Sequence, residues 1–128
     1  VAAIMECVER EGAVRIARNH AWPEKTFGLV PGLLEREESP EAAVAREVLE
    51  EVRLEAVAVK LVGVYPFLRK NEVVIAYHVQ ARGEIVLNEE LAEYRLIAPE
   101  KLRPWPQATG LAVRDWLLGR GIAVPDSF

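Results

Sequence analysis

The sequence predicts an α/β fold in which one β-sheet lies between helices. Two segments rich in β-forming residues, 1–8 and 13–18, come first, and the apolar period of a helix follows at 40–52. Further strand patterns and a closing helix at 111–118 complete the chain. The order strands, helix, strands, helix is typical of a domain whose helices cover a central sheet.

The predicted strands are separated by recognisable turns and loops. A turn at residues 10–12 joins the first two strands into a hairpin. Residues 19–26 are a predicted loop that contains Trp22, and a short predicted strand at 27–30 ends next to Gly32. The later strands are predicted at 56–64, 72–81 and 93–97.

The central helix carries clear start signals. Ser39 suits the N-cap, Pro40 suits the first helical position, and Glu41 complements the positive end of the helix dipole. The apolar face that would pack on the sheet consists of Val44, Val48 and Val52, with Ala45 and Leu49 continuing it.

Composition limits the classes of function. The 128 residues suit one domain spanning 1–128, and the formal charge of −4 argues against a nucleic-acid duplex or a membrane as partner. The one cysteine, Cys7, permits no internal disulfide, which suits the cytoplasm, and it lies in an apolar strand pattern typical of the core. The chain begins at Val1 without an initiator Met, which leaves room for an upstream segment.

Three glutamates share one side of the predicted helix. At about 100° per residue, Glu47, Glu50 and Glu51 fall within roughly a third of the circumference, and Arg46 lies one turn before Glu50. Like charges at this spacing repel one another, but a hard divalent cation such as Mg²⁺ reverses the sign. Taken alone, such a trio is more often a solvated acidic face than a metal site.

A longer pattern surrounds the trio: Gly32-x5-Glu38-x7-Arg46-Glu47-Val48-x-Glu50-Glu51-x-Arg53-Leu54. It resembles the signature of the Nudix hydrolases, G-x5-E-x7-R-E-U-x-E-E-x-G-U, in which U is a bulky aliphatic residue. Every fixed position matches except that of Arg53, where the family has glycine. The resemblance implies an α/β/α sandwich with a mixed β-sheet and a catalytic loop-helix-loop. It also implies Mg²⁺- or Mn²⁺-dependent hydrolysis of a diphosphate linkage.

The resemblance assigns roles to the matching residues. It implies that Glu47, Glu50 and Glu51 hold the metal, with one of them or a later glutamate acting as general base on water. Arg46 would orient the glutamates. Glu38 would brace the loop-helix-loop or contact the metal through water, and Gly32 would let the backbone turn.

The departure at Arg53 has two readings. The family glycine would follow the helix in a left-handed conformation, which costs another residue on the order of 1 kcal/mol. Either Arg53 adopts that conformation, or the helix ends differently. The same departure is the one feature that favours an alternative, a catalytically weak or inactive Nudix domain that binds a nucleotide or a protein.

Four residues outside the signature are further candidates. Glu93 lies in a region where many Nudix enzymes have an extra metal ligand or base. Arg18, at the end of the second strand, could reach a phosphate, and Trp22 could stack on a base. Tyr65 suits the core better than a stacking role.

Segments around the signature look like the NADH pyrophosphatase branch of the family and its relatives, which include enzymes acting on ADP-ribose. Of the proline-rich array that this branch carries after the signature, only Pro66 and Phe67 are similar. ADP-ribose or another nucleotide derivative is therefore as strongly implied as NADH. Some members of the branch have an N-terminal zinc ribbon, and many form homodimers.

Overall fold

The computed structural model describes residues 2–19, 29, 32–68, 71–89, 91–104 and 108–124. Within these ranges the elements are β1 (Ala2–Arg10), β2 (Ala13–Asn19), β3 (Gly32–Leu33), α1 (Pro40–Val52), β4 (Glu55–Phe67), β5 (Glu72–Arg82), β6 (Leu91–Ile97) and α2 (Ala108–Gly119). None of the helices in this part of the chain is long and apolar enough to cross a membrane.

The strands form one six-stranded mixed sheet in the order β4-β5-β1-β2-β6, with β3 paired to β1. The central strand β1 runs parallel to β5, while the other paired strands are antiparallel. Strands β2 and β3 contact different parts of β1, since β3 pairs with Ala3 and Ile4 and β2 pairs with residues 8–10. The predicted mixed sheet between helices is confirmed.

Alternation along β1 divides the core into two layers. Ala3, Met5 and Cys7 pack in the cluster that includes α2, whereas Ile4 and Val8 pack in the cluster that includes α1. Successive side chains of a strand point to opposite faces of the sheet, so each helix covers one face. Glu6 has the parity of Ile4 and Val8, and therefore lies on the α1 face.

The central helix has the predicted bounds. The Ser39 hydroxyl oxygen accepts a hydrogen bond from the Ala42 amide at 3.2 Å, and Pro40 occupies the first turn. At the other end Arg53 has φ 60° and ψ 20°, and its N–H donates to the Leu49 carbonyl at 3.0 Å. Of the two readings at Arg53, the left-handed conformation is the one found. Leu49, expected on the packed face, has an exposed side chain instead.

Several element boundaries differ from the sequence prediction. Strand β4 runs on through Pro66, which an edge strand tolerates because its outer N–H groups need no partner in the sheet. Helix α2 begins three residues early because buried Thr109 and Gly110 gain tertiary packing that outweighs weak helix propensity. Of the predicted strand at 27–30, only Leu29 lies within the described residues, where it is buried.

Candidate active site

Arg46 is the hub of the polar network on α1. Its Nε donates to Glu38 Oε2 at 2.7 Å and its Nη2 donates to Glu38 Oε1 at 2.9 Å, a two-pronged contact. Its Nη1 contacts Glu47 Oε1 at 3.2 Å and Glu50 Oε2 at 3.1 Å. Nη2 also donates to the Leu33 carbonyl at 3.2 Å, so one guanidinium joins the helix to the loop before it.

Glu38 is fixed from two sides. Besides the Arg46 contact, its Oε1 accepts a hydrogen bond from the Glu35 amide at 3.0 Å. The hydrogen bonds from the Arg46 guanidinium, with the Glu35 amide second, lower the pKa of this carboxyl below its ordinary value. Glu38 therefore stays ionised, and its carboxylate links the Glu35 amide in the loop before α1 to Arg46 on the helix.

Glu47 lies directly against the backbone of Gly32. A Cβ added to Gly32 would be 2.5 Å from both Cδ and Oε1 of Glu47, closer than any side chain permits. Gly32 belongs to β3, which pairs with Ile4 of β1. Glycine lets the Glu47 carboxylate keep this position, because any other side chain at residue 32 would require that carboxylate to shift.

Glu47 and Glu51 meet a third carboxylate, that of Glu6 on β1. One ligand oxygen from each of the three lies within 4.8 Å of the others. Glu6 is 0% exposed and Glu51 is 4% exposed. Burial raises the pKa of Glu6 well above its ordinary value, the Glu51 charge raises it further, and Arg15 acts in the opposite direction. Three carboxylates at this spacing are a donor set that suits a hard divalent cation.

Glu50 is placed differently from its two neighbours. Its carboxylate is paired with Arg46, and its side chain is 56% exposed. It lies outside the group of three that the structure brings together, but it lines the same cavity. That cavity has a volume of about 440 Å³. Its wall is formed by Gly32, Leu33, Leu34, Glu35, Arg46, Glu47, Glu50, Glu51 and Asn88.

A buried cation accompanies the carboxylates. Arg15 of β2 is 0% exposed, and its Nη1 is 3.6 Å from Oε2 of Glu51. Neither Glu6 nor Arg15 could be found from the helical pattern, because both come from strands more than thirty residues earlier than Glu51. The available signal was an ionisable residue flanked by apolar residues within each predicted strand.

Among the candidates outside the signature, the two whose side chains the structure describes, Glu93 and Tyr65, do not belong to this group of carboxylates. Glu93 lies in β6, where Arg95 Nη1 is 3.3 Å from its Oε2. Arg18 is the strand partner of Glu93, but its side chain is outside the described residues, as is all of Trp22. Tyr65 is buried, as expected, and its hydroxyl donates to Asp115 Oδ2 at 2.5 Å.

Comparison with known proteins agrees with this arrangement. Residues 1–116 match the family described as the NUDIX domain. The fold resembles a MutT NUDIX hydrolase from Burkholderia pseudomallei, with a TM-score of 0.71, 24% identity, and coverage of 89% of this chain and 95% of that one. A NUDIX hydrolase from Nitrosomonas europaea gives a TM-score of 0.77 at 19% identity, covering 99% and 75% of the two chains.

The sheet between helices, the glutamate-bearing helix and the family match together define the class: the chain belongs to the Nudix family. Within the family, it is similar to the NAD-capped RNA hydrolase NudC of Mycobacterium bovis, at 32% identity over 115 residues. The NudC of Mycobacterium tuberculosis is 31% identical over the same length. Each match covers 86% of this chain and 35% of the relative, so the chain spans about a third of these proteins.

Proposed function

We propose that this chain, as one Nudix domain over residues 1–128, hydrolyses the diphosphate linkage of a nucleotide derivative with the help of Mg²⁺ or Mn²⁺. The observation that carries the proposal is the meeting of the Glu47 and Glu51 carboxylates with a third, buried carboxylate beside an open cavity. The name of the NudC relatives, NAD-capped RNA hydrolase, supports a substrate with an NAD-like diphosphate. ADP-ribose and NADH are the small molecules with that linkage that we would test first.

The residues present fit a divalent cation. Both oxygens of Glu6 are buried without a hydrogen-bond partner among the described residues, and the three residues that meet there offer carboxylate oxygens, which Mg²⁺ prefers. Glu47 and Glu51 would hold the ion, and Glu50 would join them from the solvent side of the cavity. When bound, the ion would neutralise phosphate oxygens and lower the pKa of an attacking water.

The protein side chains would then orient the metal-binding carboxylates and take a proton from the attacking water. Arg46 keeps Glu47 and Glu50 in place through its two contacts at Nη1. One of the carboxylates would take the proton from water as it attacks phosphorus. A base role for Glu93 and substrate contacts by Arg18 and Trp22 stay predictions, as do a homodimer and a cytoplasmic location.

The inactive alternative rested on Arg53. The left-handed backbone at Arg53 supports an active site instead, because α1 ends as it would with glycine and the Arg53 side chain is not among those lining the cavity. No other feature of the described residues favours a domain that only binds.

The proposal can be tested with a panel of nucleoside diphosphate derivatives, including ADP-ribose and NADH, with and without Mg²⁺. We expect phosphomonoester products that require the metal. Glu47→Gln should lower kcat by at least about 100-fold with a smaller change in KM, since the lost contact acts in the transition state. Glu84→Gln, which alters an exposed glutamate outside the cavity, is the matched control and should keep its activity. Equal turnover by the Glu47 variant would refute the proposal.

A further inference from the structure

Glu6 is a buried carboxylate that the rest of the fold does not satisfy. It lies at the centre of β1 on the α1 face and is 0% exposed. Neither of its oxygens has a hydrogen-bond partner among the described residues. In its ionised form a carboxylate buried without donors is strongly destabilising, so the ionised state of Glu6 needs a compensating positive partner.

The position of Glu6 shows where that partner would be. The three carboxylates that approach within 4.8 Å come from two elements, since Glu6 is on β1 and Glu47 and Glu51 are on α1. The Glu47 end of this group opens on the cavity, which Glu51 also lines. A cation that entered from the cavity would therefore meet Glu6 as its innermost protein ligand.

Arg15 provides a positive charge within the same layer. Its guanidinium is fully buried, and its three nitrogens donate no hydrogen bond to any described residue. Its distance of 3.6 Å from Glu51 Oε2 is that of an ion pair, longer than a good charge-assisted hydrogen bond. The contact is therefore an electrostatic one between two buried side chains.

We propose that Glu6 is a metal ligand contributed by β1, and that Arg15 is an internal counter-cation that sets the affinity of this site. The first part rests on the proposed function for the identity of the ion. Once all three carboxyl groups have given up their protons to bind the ion, they and the one guanidinium carry a net charge of −2, which one divalent cation cancels. Arg15 stabilises the carboxylates when no ion is bound and repels the ion when it arrives.

The structure provides a matched control on the same strand. Glu9 is also a buried glutamate of β1, but it lies on the α2 face. Its Oε1 accepts hydrogen bonds from His78, Gln80 and Arg120 at 2.6–2.9 Å. Glu9→Gln therefore removes an equally buried charge of the same strand without touching the proposed ion site.

The test is Mn²⁺ binding to the full chain, followed by electron paramagnetic resonance of free Mn²⁺, together with thermal unfolding with and without the ion. Glu6→Gln should lower the affinity for Mn²⁺ by at least about tenfold. Removal of a group that only supports a metal ligand already lowers affinity by about that factor or more. Glu9→Gln should leave Mn²⁺ affinity unchanged. Arg15→Met should bind Mn²⁺ several-fold more tightly and should unfold at a lower temperature without the ion.

The outcomes separate this inference from the proposed function. If Glu47→Gln loses Mn²⁺ but Glu6→Gln binds like the unmodified chain, the role of Glu6 is refuted and the proposed function stands. If the unmodified chain binds no Mn²⁺, both are refuted. Arg15→Lys keeps the positive charge and should fold even if Arg15→Met does not. We expect it to bind Mn²⁺ with unchanged affinity. If a folded Arg15→Met binds Mn²⁺ with unchanged affinity, the role of Arg15 as a counter-cation is refuted. If the Met variant does not fold, the same result with Arg15→Gln refutes it.

Discussion

At the scale of single residues, the site depends on a position without a side chain. The carboxylate of Glu47 occupies the volume next to Gly32 that a Cβ would fill, 2.5 Å from its Cδ. Gly32→Ala should push Glu47 away from Glu51 and Glu6. We expect a marked loss of the thermal stabilisation that Mn²⁺ gives the unmodified chain, since that stabilisation follows from binding to the native state.

A second glycine offers a control for that change. A Cβ at Gly119, at the end of α2, would meet no atom within 4 Å. Gly119→Ala should therefore leave the Mn²⁺-dependent shift in unfolding temperature as it is. A Gly32→Ala protein with an unchanged shift would show that Glu47 is not held at the metal.

Arg53 carries a measurable cost. Its φ of 60° places a Cβ in the left-handed region, which costs on the order of 1 kcal/mol. Arg53→Gly should raise the free energy of unfolding by about 0.5 kcal/mol or more, even after the larger unfolded-state entropy of glycine is subtracted. Urea unfolding measures this.

Arg53→Ala separates the backbone effect from the loss of the side chain. It removes the guanidinium but keeps the Cβ, so it should show no comparable gain. Stability that falls in both variants would mean that the Arg53 side chain makes a favourable contact larger than the backbone cost.

The sequence was informative about some site residues and silent about others. Arg46 and Glu47 were predictable because their spacing on one helix fixes their relative position before any tertiary contact is known. Glu6 and Arg15 were not, because their approach to Glu51 depends on how two strands are placed under the helix. No local sequence pattern predicts which strands pair, or lie under a helix, over such sequence separations.

At the scale of elements, the same distinction holds. The bounds of α1 were predicted because Ser39 and Pro40 mark its start locally. The extension of β4 through Pro66 depends on its place at the edge of the sheet, which only the assembled topology defines. The early start of α2 likewise depends on burial of Thr109 against the rest of the fold.

A polar network on the other face of the sheet joins β1, β5 and α2. Glu9 accepts hydrogen bonds from His78 and Arg120, the His78 ring stacks on Trp116 at 4.9 Å, and Lys60 is a further charge near His78. Burial lowers the pKa of His78 from 6.5, although Glu9 opposes this. Burial acts to raise the pKa of Glu9, but hydrogen bonds from Arg120 and His78 bring it below 4.5.

These directions predict two losses of stability in acid. The unfolded chain takes up the His78 proton first, so stability should fall as pH drops below about 6.5 towards the lower folded pKa. The contribution of Glu9 is present above about 4.5 and should be lost as pH falls through its folded pKa. Urea unfolding at a series of pH values measures both losses.

Two variants show which residue causes each of the two losses of stability in acid. His78→Gln retains a donor for Glu9 but cannot titrate, so it should flatten the upper loss alone. Glu9→Gln should be less stable near neutral pH and should lack the lower loss. An upper loss that persists unchanged in His78→Gln would contradict this assignment.

At the scale of the whole molecule, the sheet separates two kinds of buried charge. On the α1 face, carboxylates gather beside an open cavity with one buried guanidinium among them. On the α2 face, Oε1 of Glu9 accepts hydrogen bonds from three donors. The buried charged groups that lack hydrogen-bond partners among the described residues lie on the α1 face. The family signature also lies on that face, which is why we place the chemistry there.

The most direct test of that chemistry is the fate of oxygen from water. Hydrolysis of ADP-ribose or NADH in ¹⁸O-labelled water with Mg²⁺, followed by mass spectrometry of the products, identifies the atom that is attacked. Attack at phosphorus predicts one ¹⁸O atom on the phosphate of a phosphomonoester product and none on a sugar hydroxyl. Label on a sugar carbon, with an unlabelled phosphate, would contradict a metal-assisted attack at the diphosphate.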